Sequence, residues 1–318
     1  MFSIGIDLGG TNTTAGIVDA AGRLVAQNRV KTNRLSDSQG LARNMADQVS
    51  DLLAQSGLSQ SDIQSVGIGS PGLIDSRLGM VVKASNLNLD HAPLRDNLAS
   101  QLGLPVYLAN DADAAAYGEF SAGCGKLYDS FVTITLGTGV GSGVILDGKI
   151  MTGHFPGGGE LGHTVIQAGG YACNCGRHGC WEEYSSATAL VREARKSALA
   201  RPGSLLYALC QGNLEQMSAR IPFTAARQGD DAALRLLDWY TQYLAVGIAN
   251  VIWIFQPQAI ALGGGISREG EFLLDMLRPK VAYELNVSVE TLSTDLVTCE
   301  LGNDAGIIGA AMLFKMPV

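Results

Sequence analysis

The sequence predicts an α/β protein of two units, each opened by a β-hairpin, and three observations carry that prediction. First, SIGIDLGGTNTTAGIVD (3–19) matches FVTITLGTGVGSGVILD (131–147) at a displacement of 128 residues. Ile6 falls on Ile134, Leu8 on Leu136, Gly9 on Gly137, Ile17 on Ile145 and Asp19 on Asp147. Each copy reads as an apolar strand, a Gly/Thr/Ser turn and a second apolar strand, which is a hairpin pattern. Second, strand-like and helix-like patterns alternate after each hairpin, as α/β units require. Third, 318 residues, 47% of them apolar and 16% charged, suit two domains of ordinary size with ample material for cores.

The elements follow in order. Residues 41–53 place Leu41, Met45, Val49 and Leu52 on one helical face, and Gly57 stops the helix. SVGIGSPGLID (65–75) is a buried strand entering a Pro-Gly turn, and 93–103 is a helix aligning Leu94, Leu98 and Leu102. PVYLAND (105–111) is a strand ending on polar residues, and a helix begins at DAAAYGEF (113–120). A long amphipathic helix covers roughly 231–255, and QAIALGGGIS (258–267) is a strand running into a glycine turn. The apolar run LAVGIANVIWIF (244–255) is too short to span a bilayer and reads as a buried helix end.

Composition narrows the function classes. A net charge of −8 argues against a nucleic-acid surface, while local N–H groups are enough to hold an anionic nucleotide. The N-terminal MFSIGIDLGG has neither a basic n-region nor an apolar h-region, so no signal peptide is expected. Six cysteines in such a chain favour free thiols or metal ligands over disulfides, and a reducing cytoplasm is the expected location. Forty glycines suggest turns that approach ligands closely. GTGVGSG (137–143) superficially resembles a dinucleotide fingerprint, but that motif must open a helix, whereas VILDGKI continues as a strand.

YACNCGRHGCWE (171–182) concentrates three cysteines as C-x-C-x₄-C, which is not the C-x-x-C of redox sites. Three thiolates and an imidazole make a closed tetrahedral zinc site of the structural kind. Two histidines compete for the fourth position: His178, inside the loop, and His163, upstream, which would close a longer loop. Cys124, Cys210 and Cys299 stand alone in the sequence and are expected to be packing residues.

Taken together, IDLGGT (6–11), ANDADAAAYGE (109–119), TLGTGVGSG (135–143), GGELGH (158–163), CNCGRHGCWE (173–182) and LGGGI (262–266) resemble the ROK family of sugar kinases. The resemblance implies the two-domain actin/hexokinase-like ATPase fold, with ribonuclease H-like lobes and an interlobe cleft whose closure excludes water. It implies a small lobe of 1–110 plus 302–318 and a large lobe of 111–301 bearing the zinc loop. ATP is expected on the glycine turns, at Asp7, Gly9, Gly10, Thr11, Thr13, Gly137, Thr138, Gly139 and Gly264, with Gly263–Gly265 near the adenosine. Asp7, at the end of the first strand, is placed to hold Mg²⁺ directly or through water, or to cap the turn.

Asp111, where a strand ends and a helix starts, is the expected catalytic base. The competing role is the helix N-cap, which Asp113 can take instead. By the same resemblance Asn86, Asn110, Asp111, Glu160, His163 and Glu182 bind the sugar, near the turn Ser70–Gly72, and His163 is the fourth zinc ligand. Ser85 departs from residues often found beside the Asn86 position.

The implied activity is ATP-dependent phosphorylation of a hexose hydroxyl, with glucose the first candidate. N-acetylmannosamine or N-acetylglucosamine are alternatives. A sugar-sensing repressor is disfavoured, because the first phosphate strand begins at residue 3 and leaves no room before it for a DNA-binding segment. ATP, Mg²⁺ and a structural Zn²⁺ are the implied cofactors. A hexose and a second copy of the chain are the implied partners, with neither nucleic acid nor membrane.

Overall fold

The computed structural model describes residues 1–155 and 157–316; 317–318, at the end of the expected small lobe, lie outside the described residues. The chain begins with β1 (Phe2–Leu8), β2 (Asn12–Val18), β3 (Leu24–Lys31), α1 (Ser38–Ser56) and β4 (Ile63–Ser70). Three short strands follow, β5 (Leu73–Asp75), β6 (Met80–Ala84) and β7 (Leu89–Ala92), then α2 (Leu94–Leu102), β8 (Val106–Asn110) and α3 (Asp111–Ala122). The second hairpin is β9 (Phe131–Leu136) and β10 (Val140–Leu146), followed by β11 (Lys149–Ile150). After it come α4 (Glu182–Ser185), α5 (Ala187–Ala200), α6 (Leu205–Leu209), α7 (Arg220–Arg227) and α8 (Asp231–Phe255). The chain closes with β12 (Ala259–Gly263), α9 (Gly264–Ser267), α10 (Glu271–Glu284), β13 (Asp295–Thr298) and α11 (Ala305–Met312).

Two five-stranded sheets repeat one plan, ordered β3-β2-β1-β4-β8 and β11-β10-β9-β12-β13, and β5-β6-β7 form a small third sheet. In the first, β1 pairs antiparallel with β2 and parallel with β4, which pairs parallel with β8. In the second, β12 and β13 are parallel. By internal contacts the chain separates into one unit of Met1–Thr133, Gly143–Gly159 and Cys299–Val318, and another of Ile134–Ser142 and Glu160–Thr298.

In the first unit, α1 buries the expected face of Leu41, Met45, Val49 and Leu52. Its ends are set by side-chain and backbone chemistry. Asp37 accepts the Gly40 N–H at 2.8 Å, and Gly57 takes the left-handed conformation at φ 66°. Gly16, Gly5 and Gly67 lie side by side across β2, β1 and β4. α11 rests on this row so closely that a Cβ at Gly5 or Gly67 would come within 1.8 Å of the Ile307 or Ala310 carbonyl oxygen.

A buried carboxylate, Glu119 on α3, ties down the segment leading to α11. Its Oε1 accepts the N–H of Leu301 at 2.7 Å, and its Oε2 accepts those of Glu300 at 3.1 Å and Cys124 at 3.3 Å. This corrects the expectation that Cys124 and Cys299 are isolated packing residues: the fold places both beside Glu119. Cys210 is fully buried.

The second unit is organised on α8, whose observed bounds match the sequence expectation. Asp230 caps it by accepting the Ala233 N–H, and Leu237, Tyr240, Leu244 and Ile248 are buried. The end of this helix is not wholly buried as expected: Trp253 and Ile254 are 64% and 65% exposed. At 100° per residue the last turn carries them past the packed face before Gln256 ends the helix in the left-handed conformation. Among the described residues no helix is long and apolar enough to cross a membrane.

Candidate active site and metal centre

In the first unit the site begins at the β1–β2 turn. Gly9 N–H donates to Asn12 O and Thr32 N–H to Thr11 O, both at 3.0 Å. Thr32 Oγ1 donates to Gly9 O at 2.7 Å and lies 2.9 Å from Thr13 Oγ1. Asn86 is exposed and its side chain lies over Gly10, so a candidate sugar residue and a candidate phosphate residue meet there. Asp7 lies one residue before the end of β1, and Gly306, in the first turn of α11, sits against its carboxyl group.

The β8–α3 junction settles which residue caps the helix. Neither Asp111 nor Asp113 does so. Asn110 Oδ1 accepts the N–H groups of Ala112 at 2.8 Å and Asp113 at 3.3 Å, while Asn110 Nδ2 donates to Gly72 O at 3.0 Å. The helix therefore starts at Asp111, two residues before the expected start. Asp111 Oδ1 accepts the N–H of its neighbour Ala112 at 3.0 Å, and its side chain keeps solvent access. The dense protein around it nevertheless strips away water and raises its pKa, against the lowering pull of the Ala112 N–H, its own N–H and Asn110. Asp7 is raised as well, first by desolvation and then by the negative charge of Asp111, with Arg29 opposing.

In the second unit the β9–β10 turn is held by residues of the helical segment that follows it. Ala187 N–H donates to Gly137 O at 2.8 Å, and Thr188 Oγ1 donates to Thr138 O at 2.7 Å. Glu182 Oε2 accepts the Val140 N–H at 2.9 Å and lies so near Gly139 that a Cβ there would approach it to 2.1 Å. β10 continues as a strand, which removes the dinucleotide-fingerprint reading. Gly264 (φ 81°) opens α9 against the Leu136 backbone. Beside this turn is a cavity of about 940 Å³ lined by Gly137, Thr138, Ala187, Arg220, Arg227 and Gly265 among others. The sequence reading missed the wall formed by α7, where Arg220, Thr224 and Arg227, with Gln228 just past the helix, line the cavity at a helical spacing and in no recognised pattern. Its amphipathic spacing was the available signal.

Glu160 precedes and His163 ends the short turn Leu161–His163, which Ser142 Oγ anchors by accepting the Leu161 N–H at 3.0 Å. Glu160 is exposed and His163 half-buried. His163 Nδ1 and the sulfurs of Cys173, Cys175 and Cys180 lie within 4.8 Å of one another. Cys173 Sγ is 3.7 Å from His163 Nδ1, and Cys175 and Cys180 are 3.5 Å apart. A tetrahedral zinc with bonds of about 2.0–2.3 Å gives donor separations on the order of 3.5 Å, so these residues fit it. His178, whose backbone bridges Ala172, lies outside this group. Without a cation three crowded thiols titrate unevenly: burial pushes Cys173 up to about 12, and the Arg177 N–H draws Cys175 down to about 6. Backbone bonds also join the two segments, with Val165 bridging Cys180 and Trp181 N–H donating to Thr164 O at 2.8 Å.

These features define an α/β protein with two glycine-rich hairpin turns and a pair of desolvated acids, Asp7 and Asp111, near the first. The family model described as "ROK family" matches residues 3–316. The chain is 41% identical to a glucokinase of Thermotoga maritima, covering 98% of this chain and 96% of that protein. It is 33% identical to an N-acetylmannosamine kinase of Escherichia coli O127:H6, covering 98% of each. The structure of a ROK family glucokinase from Streptomyces griseus in complex with glucose and AMPPNP aligns with TM-score 0.78 at 36% identity, over 98% of this chain and 99% of that one. The chain belongs to the ROK family, and its fold is the expected actin/hexokinase-like one.

Proposed function

We propose that this protein is an ATP-dependent hexose kinase that phosphorylates a hydroxyl of glucose. The observation that carries the reading is Asp111, released from capping by Asn110 and held beside Asp7 with its basicity raised. In the reaction the sugar hydroxyl oxygen forms a bond to the γ-phosphorus, the bond to ADP breaks, and the hydroxyl proton passes to the Asp111 carboxylate. Asn110 fixes the start of α3 and therefore the position of Asp111. The β1–β2 and β9–β10 turns direct backbone N–H groups and the hydroxyls of Thr11 and Thr138 at phosphate oxygens, while the expected Thr13 instead donates its hydroxyl to Thr32 Oγ1 and braces the first turn. Asp7 would hold Mg²⁺, which neutralises phosphate charge when bound.

Asn86, Asn110, Glu160, His163 and Glu182 bind sugar in this reading, and the cavity beside Thr138 and Gly265 takes the adenosine. His163, Cys173, Cys175 and Cys180 hold a structural Zn²⁺ that shapes the loop. A division into two lobes stays part of the proposal, with 111–133 and 143–159 belonging to the first unit rather than to the expected 111–301, as do a homodimer and a cytoplasmic location. Three T. maritima-, S. griseus- and E. coli-type relatives support the kinase class, and their names set the substrate panel.

A coupled ADP-release assay over glucose, other hexoses, N-acetylmannosamine and N-acetylglucosamine tests the reading. Glucose is expected to give the highest kcat/KM; turnover only with an N-acetylated sugar would move the assignment to that substrate, and no turnover would overturn it. Asp111→Asn is expected to fold and to lose about 10²–10⁴-fold in kcat. Because the folded pKa of Asp111 is above the ordinary 3.8, its ionised form disfavours the fold at neutral pH. That cost disappears as the pH falls below the unfolded value. Asp111→Asn should therefore not lower the melting midpoint at pH 7, and any gain should shrink toward pH 3.8. The acid limb of kcat/KM in the native protein should lie above that of an ordinary aspartate. Full activity in Asp111→Asn would remove this residue from the mechanism.

A further inference from the structure

Outside the kinase machinery, the turn after α3 and the segment after β13 bring two thiols to one carboxylate. Cys124 Sγ, Cys299 Sγ and a Glu119 carboxylate oxygen all lie within 4.8 Å of one another. Both cysteines are half-buried, whereas Glu119 is buried. A metal ion suits this cluster poorly. The two Glu119 oxygens already accept the backbone N–H groups of Cys124, Glu300 and Leu301, which leaves two thiols where a closed site takes four donors. Two neighbouring thiols with no third free donor suit a covalent bond between them instead.

We propose that Cys124 and Cys299 form a thiol–disulfide modification site, which closes to an intramolecular disulfide when a low-molecular-weight disulfide supplies the oxidising equivalent. A disulfide brings sulfurs to about 2.05 Å, so the pair must close by about 3 Å at most, within reach of a change of side-chain rotamer. In the first step the Cys124 thiolate attacks one sulfur of the reagent, a mixed disulfide forms, and one reagent thiolate leaves. In the second, Cys299 gives its proton to water and attacks Cys124 Sγ; the Cys124–Cys299 bond forms and the second reagent thiolate leaves. Two protein thiols are oxidised and one reagent disulfide is reduced to two thiols. In the reduced protein the neighbouring Cys124 thiol, burial and the Glu119 charge hold the Cys299 thiol above its usual range; burial and Glu119 still act once Cys124 is in the mixed disulfide, so the second step limits the rate. Closure should therefore quicken as the pH rises.

The bond would clip the end of α3, whose first residue is Asp111, to the point where the chain re-enters the first unit at Cys299. Glu119 already makes that junction non-covalently, so the closed form adds to an existing attachment. The closed loop is long, and cross-linking it restricts the unfolded chain.

The full-length protein, with Zn²⁺ in the buffer, is incubated with oxidised glutathione, quenched with iodoacetamide, digested and mapped by mass. The expected product is one cross-linked peptide pair joining Cys124 to Cys299, two hydrogens lighter than the reduced pair. Dithiothreitol returns it to free thiols, and the intact oxidised protein melts at a higher temperature. The pair is absent in Cys124→Ser and in Cys299→Ser. Separate glutathione adducts on the two cysteines, alkylation of both, or a cross-link from either to Cys173, Cys175, Cys180 or Cys210 would overturn the proposal. The native protein is mapped first, so a variant that fails to fold leaves the test intact.

Discussion

In the first hairpin the turn between β1 and β2 is braced by its own sheet. Thr32, just past β3, bonds Gly9 and Thr11, and α11 presses on the glycine row behind. In the second hairpin the turn between β9 and β10 is braced by residues from the start of the helical region: Glu182, Ala187 and Thr188. Two copies of one strand–turn–strand pattern thus hold candidate phosphate-binding N–H groups by different means. The first turn inherits its geometry from sheet packing. The second depends on a carboxylate two residues beyond Cys180, so its geometry is coupled to the loop that the metal would organise.

The largest expected effect breaks the first support. Gly5→Ala drives a Cβ into the Ile307 carbonyl oxygen, where strand and helix backbones both resist movement. It should cost about 3 kcal/mol or more, read as a lower denaturation midpoint, with Gly67→Ala behaving alike. A loss under about 1 kcal/mol would mean that α11 is not seated as described.

Next comes Glu182→Ala, which removes a charge-assisted acceptor from Val140 N–H and should weaken the second turn by about 1.5–3 kcal/mol. Its signature is a raised KM for ATP as well as for sugar. Glu182→Gln, which keeps an acceptor, should recover part of the ATP effect. A change in sugar KM alone would detach Glu182 from the turn. Chelating the metal should reproduce the Glu182→Ala pattern if the loop positions this side chain.

The smallest effects compare the two turns directly. Thr32→Val loses the hydroxyl bonds to Gly9 and Thr13 and should cost about 1–2 kcal/mol; Thr188→Val loses one bond and should cost about 0.5–1.5 kcal/mol. Chemical denaturation of both variants gives the ranking, and the reverse order would contradict the account of the first turn.

Much of this arrangement was legible in the residues. The 128-residue repeat identifies both hairpins, the 41–53 and 231–255 periodicities locate α1 and α8, and Gly57 marks a real helix end. These are local signals, set by side-chain alternation and capping chemistry within a few residues. The Cys/His grouping was legible for the same reason, its three thiols lying close in sequence.

Other features had no local signal. Asn110, Asp111 and Asp113 are all good capping residues, and only the backbone path from β8 into α3 makes Asn110 the cap and leaves Asp111 to its chemistry. Glu119 reads as an ordinary helix residue until the chain returns 300–301 to it, and Cys124 meets Cys299 by the same return. By itself the sequence determined the α/β alternation, the paired turns and the cluster of metal-type donors, because periodicity, glycine content and short spacing act locally. Tertiary structure alone decided which carboxylate is buried, which is left free, and which distant thiols meet, because those outcomes depend on packing between segments far apart in the chain.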